Sequence, residues 1–258
     1  MNSFESNKYA PIEDSGGGNP EQEKLPPEIK FGLSKESDIN IFLMFWKAGR
    51  SVHPDLDYLL EIKDEEQVRK EVEKFVDQFY QSEESGIAEK FQAGQQEWQN
   101  LAPIFFEKVK KFFHGYAWPQ IPDKEKNEQY EAWGTIWHTY PRQIANQRFA
   151  VPVNPKFNTP NMPSVIAHEM LHFITYDYLQ KKYGLKSSEA GDADNTFWQF
   201  TETLNALIEE DEMWQEFMYN GRQPDRKPEC EEMYKKMKPI WDQNKDIDHL
   251  VRQIFNVS

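Results

Sequence analysis

The stretch PSVIAHEMLHFITYDYLQKKYG, residues 163–184, constrains this chain more than any other part of it. It reads as one helix. Pro163 suits the first turn, Lys181 and Lys182 suit the electronegative C-terminal end, and Gly184 suits the stop. His168 and His172 are four residues apart, so on a helix they share a face with their Cβ atoms roughly 5–6 Å apart. Counting about 100° per residue, Glu169, Thr175 and Tyr176 fall on that same side, while Ile166, Ala167, Met170, Leu171, Ile174 and Tyr178 fall opposite. The apolar side is expected to meet the core and the histidines to look toward a cleft or solvent.

The order His-Glu-x-x-His carries chemistry. Two imidazoles at this spacing can converge on a tetrahedral Zn²⁺ at about 2.0–2.1 Å each. Glu169, directly after the first histidine, is aimed at the open coordination position rather than at the metal. There it can accept a proton from water whose pKa zinc lowers to roughly 7. The competing reading is an amphipathic surface helix whose polar face holds these groups by coincidence.

A catalytic zinc site needs a third protein ligand. The next donor lies in FWQFTETLNALIEED, which reads as a second helix with Phe197, Phe200, Leu204, Leu207 and Ile208 on its apolar face. Glu202 lies opposite, beside Trp198, Asn205 and Ala206, an odd setting for a solvated carboxylate. Glu209 shares that face two turns on, within the acidic run 209–212, which has the look of ordinary surface charge. Asp192 and Asp194 are further candidates, although they more naturally cap the second helix.

An HExxH helix followed by a helix bearing a glutamate resembles the gluzincin metallopeptidases, the thermolysin-like clan. The likeness spans about residues 133–215 and is carried by His168, Glu169, His172 and Glu202. The stretch HEMLHFITYDY lacks the Gly and third His of the metzincin pattern. The resemblance implies a zincin-like fold, a small sheet ahead of the HExxH helix, and an edge strand that pairs with extended peptide; residues 148–154 stand where that strand belongs. The clan often has an Asp four residues after the third ligand to orient a histidine. Ala206 occupies that position, leaving Asn205 or a backbone carbonyl for the role. A zinc peptidase also supplies a donor for the tetrahedral oxyanion. Tyr176, Tyr140, His138 and Arg142 are the candidates, whereas His53, His114 and His249 read as structural or surface groups.

The rest of the chain frames this region. Residues 1–30 read as a disordered acidic tail, 31–125 as a helical N-terminal region, and 126–258 as the catalytic region. DINIFLMFWKA, 38–48, predicts a helix ending at Gly49, with a strand as the alternative for so apolar a run. The pattern is helical over 55–116 and is closed by Pro119 and Pro122. Two short strands are expected at 134–140 and 148–154, separated by a turn containing Asn146, with Pro152 forcing the second to a sheet edge or bulge. Helices, a small sheet, then helices make the class α+β.

Lys and Arg total 30 against 44 Asp and Glu, for a formal net charge of −14. This argues against a nucleic-acid partner and against anionic membranes. Cys230 is the single cysteine, so no internal disulfide exists, and its glutamate neighbours raise rather than lower its pKa. The N-terminal residues lack a signal-peptide pattern, and Ile41–Trp46 is too short to span a bilayer. A soluble, cytoplasmic protein is expected. The function expected is a zinc-dependent hydrolase, foremost a metallopeptidase acting on peptide or protein substrates. The alternatives are a zinc hydrolase of a non-peptide amide or ester, and a non-catalytic binding protein on a peptidase-like scaffold.

Overall fold

The computed structural model describes residues 26–119, 129–156, 160–185, 196–217 and 227–257. Ile29, Phe31 and Leu33 alternate with Glu28 and Lys30, a period-2 pattern, and they form β1 (Glu28–Leu33). The tail expected over 1–30 therefore gives way to a strand at Glu28, and the rest of that expectation lies outside the described residues. Helix α1 (Lys35–Lys47) follows. Ser34 caps it, its side chain accepting from the Ser37 amide at 3.3 Å, and Gly49 beyond its end takes φ +68°. The strand alternative for 38–48 is thereby removed.

A 3₁₀ segment at Pro54–Glu61 leads into α2 (Glu65–Phe112), a 48-residue helix with non-helical backbone at Glu83. The Ser82 hydroxyl donates to the Phe79 carbonyl at 3.0 Å, offering that carbonyl a partner outside the helical ladder just where the kink falls. Pro103 sits inside the same helix. Val68, Val72, Val76, Phe105 and Val109 are all 0% exposed, and they line the stripe of α2 that meets the core.

The sheet is small and mixed. Strands β2 (Gln129–Thr135), β3 (Arg142–Gln143) and β4 (Arg148–Pro152) join β1 in the order β1-β2-β4-β3. β1 and β4 run parallel to β2, and β3 runs antiparallel to β4. Two expectations are corrected here. The first strand is 129–135 rather than 134–140, so His138 and Tyr140 lie beyond its end and the alternation that put both on one face does not apply. Second, β4 is flanked on both sides over Arg148–Phe149 rather than being a free edge. Its amides alternate sides: Ala150 donates to the Pro141 carbonyl and Val153 to the Thr135 carbonyl, both at 3.0 Å. By that alternation the missing amide of Pro152 faces past the N-terminal end of β3, where the ladder has already stopped.

Helix α3 (Met162–Tyr183) lies against α2 and β4, and α4 (Thr196–Glu209) lies against α3. Asn161 caps α3, accepting from the Ser164 amide at 3.0 Å, and Gly184 closes it at φ +67°. Helices α5 (Glu231–Asn244) and α6 (Ile247–Phe255) complete the chain. Asp248 of α6 accepts from the hydroxyls of Tyr178 and Tyr183, each at 2.5 Å, and from Lys182 at 2.6 Å, which ties α6 to the end of α3. The protein is α+β, mainly helical around a four-stranded mixed sheet. Among the described residues no helix is long and apolar enough to cross a membrane.

Gly134 marks the tightest point of the sheet. A Cβ there would lie 2.3 Å from Leu33 Cδ2 and 2.7 Å from Val153 Cγ1. Gly134→Ala is expected to cost about 1–3 kcal/mol, the usual penalty of overpacking, read as a lower denaturation midpoint at unchanged slope. An unchanged midpoint would mean that β1 and the chain after β4 give way freely.

Candidate metal centre

Helix α3 is buried on nearly every side. Ile166, Met170 and Ile174 on its apolar face are 0% exposed, but so is His172 on the polar one, and Glu169 is 4% exposed. The polar face is thus largely buried, with the His168 side chain, 29% exposed, its most open member. It is covered in part by α4 and by Arg142 of β3, which is not the setting of a fully solvated helix face.

Helix α4 brings Glu202, 6% exposed, over the two histidines. His168 Nε2 and His172 Nε2 are 3.1 Å apart. Glu202 Oε1 lies 3.6 Å from His172 Nε2, and Glu202 Oε2 lies 3.9 Å from His168 Nε2. One ligand atom from each of the three residues falls within 4.8 Å of the others. Two bonds of zinc–histidine length at the tetrahedral angle hold their nitrogens about 3.3–3.4 Å apart, close to the 3.1 Å between the two imidazoles, so the three residues could hold one small cation. The chemistry of the donors, two imidazoles and a carboxylate, fits the same ion.

Three further groups complete the cluster. Glu209, 9% exposed, places Oε1 2.7 Å from His168 Nδ1. This corrects the reading of Glu209 as surface charge: it sits behind the three donors and fixes the His168 ring through Nδ1, the nitrogen that faces away from His172 and Glu202. Asn205 does not take that role. Its side-chain amide donates at 3.0 Å to the backbone carbonyl of His168, joining α4 to α3. Arg142 spans both glutamates, NH2 donating to Glu202 Oε1 at 2.6 Å and NH1 to Glu169 Oε2 at 3.4 Å. Lys227 Nζ reaches the other oxygen of Glu202, Oε2, at 2.8 Å.

The charges balance in a dry setting. Burial alone would raise the pKa of Glu202, yet His172, Arg142, Lys227 and His168 hold its carboxyl far below the usual range. Burial pushes the Glu169 carboxyl up, opposed by Arg142 and His168. Burial and then Arg142 drive the His172 pKa well down, and its Nδ1 has no hydrogen-bond partner among the described residues. For His168, burial works downward but the Glu209 carboxylate wins and lifts it to about 9. The thiol of Cys230 is pushed up to about 11 by burial and by Glu202, so it is no nucleophile.

No family model matches this chain, and neither a curated protein nor a solved structure matches it.

The remaining candidates disperse. Tyr176, half-buried on α3, stands edge-on to His172 with ring centroids 6.0 Å apart and also packs on Phe197. Tyr140 packs against the core. His138 is exposed; burial and then the neighbouring charges of His53 and Lys90 lower its pKa, and these neighbours are not members of the cluster. Asp192 and Asp194 lie outside the described residues. Of the four candidate oxyanion donors, Arg142 touches Glu169 and Glu202, and Tyr176 stands beside His172. Lys227 was not foreseen, because no motif or period distinguishes it from other surface lysines.

Proposed function

We propose that this chain is a zinc-dependent hydrolase of the gluzincin-like kind, foremost a peptidase, with His168, His172 and Glu202 as the ligands and Glu169 as the general base. The observation that carries the reading is the convergence of two imidazoles and one carboxylate within 4.8 Å, with Glu169 on the same covered helix face. A small sheet ahead of the HExxH helix and a glutamate on the next helix support the zincin-like placement.

Zinc bound there supplies Lewis acidity, polarising a carbonyl oxygen and acidifying water. Glu169 accepts the proton of the attacking water and hands it to the leaving amine. Its burial keeps it a strong enough base for the first transfer and an acid for the second. Glu209 holds His168 in the tautomer whose Nε2 lone pair faces the ligand set. Arg142 holds Glu202 in place at 2.6 Å and reaches Glu169 only loosely, at 3.4 Å. Tyr176, beside His172, is the candidate donor to the developing oxyanion.

Elemental analysis tests this directly. Wild-type protein purified without chelator is expected to carry one zinc ion per chain, and Glu202→Ala is expected to lose most of it. A folded wild type that carries no zinc and takes none up would sink the reading. Full retention in Glu202→Ala would move the third ligand elsewhere.

A further inference from the structure

We propose that Arg142 and Lys227 form a carboxylate clamp beside the ligand cluster, and that the substrate bears a free carboxylate close to the bond being cut. The proposal rests on the zinc-hydrolase reading above and adds the substrate class to it.

The two cations approach the same carboxylate from opposite oxygens. Arg142 donates to Glu202 Oε1 at 2.6 Å and Lys227 pairs with Glu202 Oε2 at 2.8 Å. A third ligand does not need two cations to stay ionised beside a metal ion. With a dication in the cluster, Arg142 and Lys227 together with it outweigh Glu169, Glu202 and Glu209 by one charge. A surplus positive charge is unfavourable around Arg142, His172 and Glu202, whose side chains are 15%, 0% and 4% exposed, until an anion meets it, while Lys227 at 43% keeps one side in water. The chain as a whole, at −14, does not attract anions, so the attraction is local.

Both side chains have donors to give. A guanidinium carries five N–H groups in a plane that matches a carboxylate edge to edge. The contact from Arg142 to Glu169, at 3.4 Å, is too long to be a strong hydrogen bond and is easily exchanged for a better acceptor. The Lys227 side chain is 43% exposed and its ammonium lies 5.0 Å from the centre of the Trp198 ring, so it meets solvent on one side and the cluster on the other. With its side chain 43% exposed against 15% for Arg142, Lys227 is the cation an incoming carboxylate meets first. The carboxylate comes from a chain end or from an aspartate or glutamate side chain, and the chemistry of the clamp is the same for both.

The test uses the full chain carrying Glu169→Gln, loaded with zinc and assayed for zinc content, so that peptides bind without being cut. Two pools of random short peptides, one with free C-terminal carboxylates and one amidated, are offered and the retained members identified by mass spectrometry. Carboxylate-bearing peptides are expected to be enriched about tenfold. Enrichment of the acid pool as a whole assigns the chain end, and enrichment of Asp- and Glu-containing members of the amidated pool assigns the side chain. Adding Arg142→Met or Lys227→Gln is expected to bring the enrichment near unity with zinc retained, and Arg142→Lys to restore it only in part. Lys227→Gln, at a half-exposed position, carries the comparison if Arg142→Met does not fold. Equal retention of carboxylate and neutral peptides on zinc-loaded protein overturns the clamp and leaves the hydrolase reading intact. Protein that cannot be loaded with zinc overturns the reading beneath it.

Discussion

Glu169→Gln is expected to keep its zinc and lose peptide hydrolysis by at least about a thousandfold. The size follows from the role. A positioned general base contributes about 10²–10⁴ in rate, and in the proposed mechanism the same carboxyl serves the attacking water and the leaving amine. The substitution is close to isosteric at a site that is 4% exposed, and glutamine still offers an oxygen to Arg142, so the packing around α3 and the three ligands is left as it was. That separation gives the experiment its force, because zinc content and folding report on the scaffold and turnover reports on the proton transfer. Zinc retained with turnover within tenfold of wild type would remove Glu169 from the role and direct attention to Glu209 or to a base outside the cluster.

Where the structure is local in sequence, it was legible there. HExxH spacing, the Pro163 and Gly184 punctuation and the lysines of the last turn are consequences of a period of 3.6 residues and of helix-end electrostatics, and α3 runs from Met162 to Tyr183 as they require. Glu202 stood out because its neighbours on that face, Trp198, Asn205 and Ala206, are an odd setting for a solvated carboxylate. What the sequence hid was the environment of that polar face. Glu209 reads as surface charge because it belongs to a run of four acidic residues, and only the packing of α4 on α3 turns it inward to His168. Arg142 and Lys227 arrive from β3 and from the segment before α5, far from the ligands along the chain. No spacing rule links residues joined by tertiary packing alone. The sheet shows the same limit: β1 and β2 are both short and alternate in polarity, but their parallel pairing across α1 and α2 is a long-range choice that neither strand's pattern encodes.

Asp38 provides the largest expected effect on stability. It lies in α1, is 0% exposed, and gathers donors from two other elements. Its Oδ1 accepts from the Thr135 hydroxyl at 2.6 Å and the Ile136 amide at 3.1 Å, and its Oδ2 accepts from the Tyr80 hydroxyl at 2.8 Å. Its own carbonyl accepts from the Trp137 indole at 2.7 Å. These contacts fix the direction in which the chain leaves β2, and that chain carries Arg142 to the ligand cluster seven residues after Thr135. Asp38→Ala would strand buried donors from three residues and is expected to cost about 3–5 kcal/mol, the scale of breaking a buried polar network from one side.

The pH dependence of that stability is a sharper test, because two effects oppose each other at this carboxyl. Burial raises its pKa and the three donors lower it, with burial ahead, so that the carboxyl is pushed up to about 7. A group whose pKa is higher folded than unfolded binds its proton more tightly in the native state. Its contribution to stability is complete below the unfolded value, near 3.9, and is lost as pH rises toward 7. The stability of wild type relative to Asp38→Asn, which cannot titrate yet keeps an acceptor oxygen, is therefore expected to fall between pH 4 and pH 8 by up to about 4 kcal/mol. Urea denaturation of both proteins across that range measures it, and taking the difference cancels the other carboxyls, including Asp248, whose three donors hold it at about 2 and whose contribution is lost only in acid. A difference that stays flat would show that Thr135, Tyr80 and Ile136 hold the carboxylate ionised throughout. Asp38 would then be a buried anion stabilised by hydrogen bonds, and the turn leading to Arg142 would be pinned by charge at every pH at which the protein folds.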